Sequence, residues 1–477
     1  MTASNILLIT TDQQRWDTLH CAGNPAIFTP HLNWLADTGI RYSRAYSDCP
    51  VCMPARATMM TGVPAYVHGA TANTDAEPMR GRSTLPGMLT AAGYQTRAQG
   101  KMHFHPMRHR FGFETMELSY DYYRFMQKYF PGEVGGAHGY GQNELEPILG
   151  TAKPSQTLTR WVVDRSVDFL ETRDSEKPFF LWSSISKPHP PLDPSPEFWE
   201  IYRDIPMPDP VIGDWAETVE GIPAGFLKST CSLGNGYRFS QEQWCTIRRA
   251  YYACISEVDA ALGILFSRMR ELGLLDNTWI IFTSDHGEML GDHHMSAKNS
   301  FFEGSAHIPL LIRPPGQWDE HPLRGRVCDA LVSLQDIFPT CMNLADCGES
   351  IPREVSGNDL LEVANGARGR EAIVGVCGEQ YAVIERDWKY LFSSVGGSCL
   401  LFNLANDPGE TVDVSRADPE RCARMHRYLL EELSDRGKSL LRGGEIPETT
   451  GRPLADERRW NSWPGFHSFE VETDLLH

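Results

Sequence analysis

The sequence lacks the features of a membrane or secreted protein. Its apolar runs fall short of the ~20 residues that a membrane-spanning helix needs. The chain opens Met1-Thr-Ala-Ser-Asn5, without the charged start, apolar stretch and cleavage site of a signal peptide. Basic residues are few, since 44 Lys and Arg face 62 Asp and Glu for a net charge of -18, which repels nucleic acid and anionic membranes. We therefore expect a cytoplasmic protein with no nucleic-acid or membrane partner.

Common catalytic signatures are also absent. There is no His-Glu-x-x-His and no Gly-x-Ser-x-Gly, which excludes the usual zinc protease and serine hydrolase sites. The 12 cysteines have no disulfide-framework spacing, which fits a reducing cytoplasm. One close pair exists, Cys49-Pro-Val-Cys52, and no second pair completes a zinc ribbon. A dithiol redox or metal-binding protein remains one hypothesis, and it predicts that losing Cys49 or Cys52 is equally damaging.

Length and hydrophobic patterning indicate a large α/β protein. A chain of 477 residues with 41% hydrophobic residues exceeds one ordinary core, so a large domain and a smaller one are expected. Almost wholly apolar runs predict buried strands at residues 5–11, 179–185, 279–284 and 309–313. Apolar residues at steps of three and four predict helices at 158–173 and 255–272. This alternation predicts a large, mostly parallel sheet sandwiched by helices.

Cys52 lies at the start of a short predicted helix. Pro54 suits a first helical turn and Gly62 suits the position just past the end, so the helix is expected to run from Pro54 to Met60. An anion at its N-terminus would meet free backbone N–H groups. The guanidinium of Arg56 would add a planar bidentate contact to sulfate or phosphate. We interpret the segment as an anion-binding nucleophile site.

Two predicted buried strands end in residues that can bind a metal. Asp12-Gln13 follows the first strand, and Asp285-His286 follows the strand at 279–284. Ligands of open α/β sheets bind beyond the carboxyl ends of the strands, so these side chains are expected to meet there. Carboxylate and amide oxygens favour a hard cation, calcium first and magnesium second, and His286 extends the range to manganese. The sequence therefore predicts one divalent cation.

The motif Cys52-Met-Pro54-Ala-Arg56 resembles the C-x-P-x-R signature of the formylglycine-dependent type I sulfatases of the alkaline phosphatase superfamily. The chain has Ala55 where serine is frequent, and Gln13 where a second aspartate is common. Further segments resemble family motifs in the same order: Asp12-Gln13, Gly100-Lys101-Met-His103, Lys187-Pro-His189-Pro190-Pro191, and Ser284-Asp-His-Gly-Glu-Met-Leu-Gly-Asp292 followed by Lys298. These motifs cover both halves of a sulfatase site.

The resemblance implies hydrolysis of a small anionic sulfate monoester of a carbohydrate, an aryl alcohol or a small alkyl alcohol. A formylglycine-generating enzyme would convert Cys52 to formylglycine. The hydrate of that aldehyde would place one hydroxyl on the metal and attack sulfur, and its second hydroxyl would expel the product. The metal ligands implied are Asp12, Gln13, residue 52, Asp285 and His286.

The resemblance also assigns roles to the polar residues of the other motifs. His189, together with Lys298, would protonate the leaving alcohol, and His103 would be the base that releases sulfate. The metal, Lys101, Lys298 and Arg56 would neutralise negative charge in the transition state. The implied substrate contacts are Lys101, His189 and Lys298.

A smaller C-terminal unit is predicted from the remaining sequence. Residues 1–369 are interpreted as the catalytic domain and 370–477 as a subdomain of antiparallel sheet plus one helix, at about 420–436. A polar stretch at 348–369 is typical of a linker. The tail after Arg452 is outside the resemblance, and its aromatic residues would pack on the body, close the pocket or join subunits of a homo-oligomer. Weaker pocket candidates are His68, Arg108 and Arg110.

A second hydrolase hypothesis differs in the substrate. Phosphonate monoester and phosphodiester hydrolases of the same superfamily share formylglycine and can share Gln13 and His286. Tyrosine and threonine are found in that group at the positions of Lys101 and His103, so the Lys-x-His pair favours sulfate. In either hydrolase only Cys52 would be indispensable.

Overall fold

The computed structural model describes residues 4–74, 77–131, 144–218, 221–223, 225–226, 239–316 and 321–450. The predicted aromatic tail lies outside these residues. The helices are α1 (Pro30–Asp37), α2 (Cys52–Thr61), α3 (Ala65–His68), α4 (Leu85–Ala91), α5 (Ser119–Tyr129), α6 (Leu158–Thr172), α7 (Pro196–Ile201), α8 (Gln241–Glu271), α9 (Glu303–Ala306), α10 (Ile337–Leu344), α11 (Leu360–Ala364) and α12 (Pro419–Arg436). The strands are β1 (Asn5–Asp12), β2 (Ile40–Tyr42), β3 (Ala45–Tyr46), β4 (Gln95–Gly100), β5 (Thr115–Leu118), β6 (Phe179–Pro188), β7 (Thr278–Ser284), β8 (His307–Ile308), β9 (Leu310–Arg313), β10 (Arg326–Cys328), β11 (Val332–Ser333), β12 (Ala372–Cys377), β13 (Gln380–Glu385), β14 (Trp388–Ser393) and β15 (Cys399–Asn403).

Eight strands form one large sheet in the order β10-β2-β9-β7-β1-β6-β4-β5. Every neighbouring pair is parallel except the two that β9 makes with β7 and β2. The mostly parallel sheet is therefore confirmed. The strand predicted at 309–313 is present as β9 but runs antiparallel to both of its neighbours, β7 and β2.

Helices cover both faces of this sheet, which explains its apolar strands. In β1, Ile6 and Leu8 pack in one core with α2, α4 and α10, whereas Leu7 and Ile9 pack in a second core with α1, α6 and α8. All eight residues of β1 are buried. Strands buried on both faces have near-continuous hydrophobic sequences, and the predicted helical sandwich is confirmed.

The longest helix begins well before its predicted start. Ser240 caps α8 by accepting from the N–H of Gln243, and the Gln243 side chain accepts from the Ser240 N–H. Among the described residues, α8 is long and apolar enough to cross a membrane by length and composition. However, 83% of its most apolar 18-residue segment is buried inside the protein, so the apolar side chains of α8 pack in the protein core.

A separate antiparallel sheet, β12-β13-β14-β15, follows the large one. Helix α12 covers one face of it through Met425, Leu429 and Leu433. The stretch at 348–369 is not a free linker, which corrects the sequence interpretation. It contains α11, whose Leu360 is fully buried in the main core, and the Tyr42 hydroxyl donates to the Leu360 carbonyl at 2.7 Å.

A buried ion network joins the second sheet to the large domain. The Lys389 ammonium on β14 lies 2.5 Å from a Glu303 carboxylate oxygen and 2.8 Å from a Glu410 carboxylate oxygen. Glu303 also pairs with His307 at 2.6 Å. Since Lys389 is fully buried, removing its charge would take away the ammonium paired with Glu410 and leave Glu303 paired with His307.

Candidate active site

The site lies at the carboxyl edge of the two central strands. Asp12 is the last residue of β1, and Asp285 directly follows β7, its parallel neighbour. Both side chains are fully buried. The Gln13 N–H donates to an Asp285 carboxylate oxygen at 3.1 Å and ties the two strand ends together. The sequence prediction that these residues meet is confirmed by this contact.

Helix α2 presents residue 52 to these carboxylates. The helix begins at Cys52, two residues before the predicted start, and ends at Thr61, where Gly62 follows with a left-handed φ of 69°. The first turn of α2 offers fewer free N–H groups than the sequence predicts. Met53 donates to the Asn73 side-chain oxygen at 3.0 Å, Pro54 has no N–H, and Ala55 donates to the Val51 carbonyl at 3.0 Å. Asn73 comes from a loop and carries no sequence signal.

Four buried side chains could hold a metal ion together. One ligand atom from each of Asp12, Cys52, Asp285 and His286 lies within 4.8 Å of all the others. The Cys52 Sγ is 3.2 Å from His286 Nε2 and 3.8 Å from Asp12 Oδ1. His286 Nδ1 lies 2.9 Å from the Gly287 carbonyl, so Nδ1 carries a proton and Nε2 is the ring nitrogen that faces the cluster. This donor set fits a divalent cation.

The charges at this cluster also fit a cation. Burial, and then the neighbouring Asp12 carboxylate, raise the pKa of Asp285 above its ordinary value. Burial raises the pKa of the Cys52 thiol, but Lys298, Lys101 and His286 outweigh it and hold that pKa well below its ordinary value. Position 52 is therefore a place where the protein stabilises negative charge.

Arg56 holds the metal-binding carboxylates and does not point to the substrate. Its Nε donates to Asp285 at 2.9 Å and one terminal nitrogen donates to Asp12 at 3.0 Å. The other terminal nitrogen donates to the Ser184 hydroxyl at 2.8 Å and to the Lys101 carbonyl. The side chain is fully buried. The predicted bidentate contact between Arg56 and the anion is therefore wrong, because two carboxylates occupy the guanidinium edge.

Lys101, His103, His189 and Lys298 all reach the same site. The Lys101 ammonium lies 2.9 Å from Asp12 Oδ2. His103 has a left-handed φ of 53°, helps to lower the pKa of the Cys52 thiol, and buries an Nδ1 without a partner among the described residues. The Lys298 ammonium lies 2.8 Å from His189 Nε2 and 2.5 Å from Gln13 Oε1. The sequence motifs thus converge around residue 52.

His189 and Lys298 form a proton-bearing pair. Burial and the Lys101 and Lys298 charges lower the pKa of His189 to about 4, so its ring is neutral near pH 7. Its Nδ1 lies 2.9 Å from the Pro190 carbonyl and carries the proton. Nε2 is left to accept from the Lys298 ammonium. The transferable proton therefore resides on Lys298, directed at His189.

Two glycines of the motifs are needed for close backbone approach. A Cβ at Gly287 would lie 2.1 Å from the Gly304 carbonyl oxygen. A Cβ at Gly100, which has a φ of 95°, would lie 2.0 Å from the Ser184 carbonyl oxygen. Both separations are shorter than any side chain tolerates, so these glycines let the His286 and Lys101 segments pass their neighbours.

Other predicted residues lie elsewhere. His68 is buried beneath α2, where its Nε2 is 3.2 Å from the Thr58 hydroxyl. Arg108 forms a bidentate ion pair with Asp121 on α5 at 2.6 and 3.1 Å. The Cys49 Sγ donates to the Thr71 carbonyl at 3.6 Å, and Cys49 and Cys52 are both free thiols.

Comparisons with known proteins agree with this geometry. A family profile described as "Sulfatase" matches residues 4–347. The chain is 32% identical to an arylsulfatase of Clostridium perfringens, over 93% of this chain and 97% of that protein. It is 28% identical to a choline-sulfatase of Rhizobium meliloti, over 86% and 82%. A solved phosphonate monoester hydrolase of Agrobacterium radiobacter is 25% identical, with a TM-score of 0.75 over 91% of this chain and 96% of that one.

Proposed function

The chain belongs to the sulfatase family and is a sulfuric ester hydrolase, and we propose that it cleaves a small carbohydrate, aryl or alkyl sulfate with residue 52 as the nucleophile. The observation that carries this proposal is the arrangement around Cys52. Two carboxylates and an imidazole lie close to it, and the Lys101 and Lys298 charges also act on it.

The proposal includes one divalent cation and one modified residue. Asp12, Gln13, Asp285, His286 and residue 52 would hold the cation, calcium by preference because four of these donors are oxygen-bearing side chains once residue 52 carries oxygen. A formylglycine-generating enzyme would convert Cys52. When bound, the cation supplies positive charge against the sulfate oxygens and the formylglycine supplies the attacking hydroxyl.

The chain's own residues bind the anion and deliver the proton. Lys101 and Lys298 contact the sulfate oxygens, where removing one such charge typically costs about 10²–10³-fold in kcat. The Lys298–His189 pair donates a proton to the leaving alcohol. His103, whose Nδ1 has no partner in the part of the chain that the structure describes, is the base that releases the product. Arg56 keeps Asp12 and Asp285 in place.

Parallel rate measurements test the substrate class. The protein is produced together with a formylglycine-generating enzyme and supplied with calcium. Initial rates are then measured on an aryl sulfate, a phosphodiester and a phosphonate monoester. We expect the sulfate to react fastest, and we expect chelation of the cation or Cys52→Ala to abolish the reaction. Phosphorus substrates that react orders of magnitude faster than the sulfate would overturn the proposal.

A phosphonate monoester or phosphodiester hydrolase is the second candidate. It is supported by the similarity to the Agrobacterium radiobacter enzyme and by Gln13 at a position where sulfatases often have aspartate. Lys101 and His103 favour a sulfate ester as the substrate, because the phosphonate hydrolases are expected to have tyrosine and threonine at these two positions. The three-substrate comparison decides between the two.

A further inference from the structure

The side-chain amide of Gln13 is held between two opposite charges. Its Oε1 accepts from the Lys298 ammonium at 2.5 Å. Its Nε2 donates to a Glu288 carboxylate oxygen. Gln13 and Glu288 are each 1% exposed, so water does not compete for these contacts.

The two contacts fix which end of the amide faces the cation site. An ammonium group can only donate and a carboxylate can only accept. The amide oxygen must therefore face Lys298, whose charge also acts on Cys52, and the amide nitrogen must face Glu288. A flipped amide would direct N–H groups at the proposed cation. It would also place the amide NH₂ group against the Lys298 ammonium and the amide oxygen against the Glu288 carboxylate, so neither buried hydrogen bond could form.

Glu288 itself is held by the loop that follows β7. Its second carboxylate oxygen accepts from the Leu290 N–H at 3.1 Å and from the Ala297 N–H. The backbone of Gln13 is held as well, because the Tyr251 hydroxyl donates to its carbonyl at 2.5 Å and Gln13 has a left-handed φ of 68°. Neither partner can rotate away without losing buried hydrogen bonds.

We propose that Glu288 is a positioning residue, which orients the Gln13 amide so that its oxygen is available to the divalent cation. This inference rests on the cation site of the proposed function. It gives a role to the fifth residue of the Ser284-Asp-His-Gly-Glu288 motif, which makes no contact with the reacting groups. It also accounts for a neutral Gln13 at the proposed cation site. The negative charge that an aspartate would place at position 13 is carried instead by Glu288, which contacts the far side of the Gln13 amide.

An exchange of the two side chains tests the proposal. In Glu288→Gln, the single amide oxygen stays with the two backbone N–H groups and the NH₂ group faces Gln13, which must turn its own oxygen away from the cation site. In the double variant Gln13→Glu/Glu288→Gln, the new glutamate accepts from that NH₂ group and presents its other oxygen to the cation. Size and net charge are unchanged by the exchange.

Calcium binding to the metal-stripped, formylglycine-containing protein is measured by calorimetry, with manganese as a second probe. We expect Glu288→Gln to lower the affinity for calcium by about 10- to 100-fold, which is the typical effect of mutating a residue that hydrogen-bonds a metal ligand. We expect the double variant to recover most of the loss. Glu432→Gln is the control, because this glutamate accepts from the Tyr66 hydroxyl far from the site. Thermal melting shows that each variant is folded, and the double variant decides the question if Glu288→Gln alone unfolds.

Two results would overturn the role of Glu288. One is unchanged cation affinity in Glu288→Gln. The other is a folded double variant that binds as weakly as Glu288→Gln, since Glu288 would then act only by supporting its loop. A parent protein that binds neither cation would overturn the cation site itself, and the role of Glu288 with it.

Discussion

Replacing Arg56 with lysine is expected to destabilise the fold although the charge is kept. Arg56 bridges Asp12 and Asp285 through two different nitrogens, at 3.0 and 2.9 Å. A lysine ammonium is one point and cannot reproduce this fork. It can keep one carboxylate contact, so the variant loses a charge-assisted hydrogen bond to the other carboxylate, of about 1.5–3 kcal/mol, together with the guanidinium's hydrogen bonds to the Ser184 hydroxyl and the Lys101 carbonyl.

The expected loss is therefore about 3–5 kcal/mol, in the range found when one partner of a buried ion pair is removed. Total stabilities are about 5–15 kcal/mol, so urea unfolding resolves the change readily. The measurement uses protein with unmodified Cys52 and no divalent cation, because Arg56 also belongs to the modification motif. The control is Arg427→Lys on the exposed side of α12, expected to change stability by less than about 0.5 kcal/mol. An Arg56→Lys protein as stable as the parent would refute the assignment of Arg56 to the carboxylates.

Three further predictions use other parts of the protein. Burial lowers the pKa of His68 from 6.5 to about 3, so stability that is fully present above pH 6.5 falls by up to about 1.4 kcal/mol per unit as the pH drops toward 3; His68→Gln should remove this slope in unfolding experiments at several pH values. Lys389→Met should cost about 3–5 kcal/mol in unfolding free energy, because the buried Glu410 loses the ammonium paired with it and Glu303 keeps His307 but loses Lys389, and a loss below about 1 kcal/mol would contradict the buried network. Cys52→Ala should abolish sulfate hydrolysis while Cys49→Ala retains it, whereas equal damage would support the dithiol hypothesis.

The sheet and the metal cluster could be predicted because both are encoded locally. Strands covered on both faces have continuous apolar sequences, and Asp12 and Asp285 directly follow two of them. Parallel neighbours place their carboxyl ends at one edge. The direction of β9 was not predictable, because a short apolar run indicates a buried strand but not the direction in which that strand pairs.

The roles of individual polar groups depended on partners distant in sequence. Arg56 was predicted to bind the anion, but Asp12 and Asp285 saturate it from positions that no local pattern links to it. The first turn of α2 was expected to offer free N–H groups, and Asn73 from a loop removes one of them. Glu288 lay inside a recognised motif, yet only its contact with Gln13 indicates what it does.

Mass analysis of the active enzyme tests the central claim most directly. Trypsin releases residues 45–56 as one peptide, which contains both Cys49 and Cys52. After thiol alkylation of a fully active preparation, we predict one alkylated cysteine at position 49 and an aldehyde, formylglycine, at position 52. Two alkylated cysteines in an enzyme that hydrolyses sulfate esters at full rate would contradict the account.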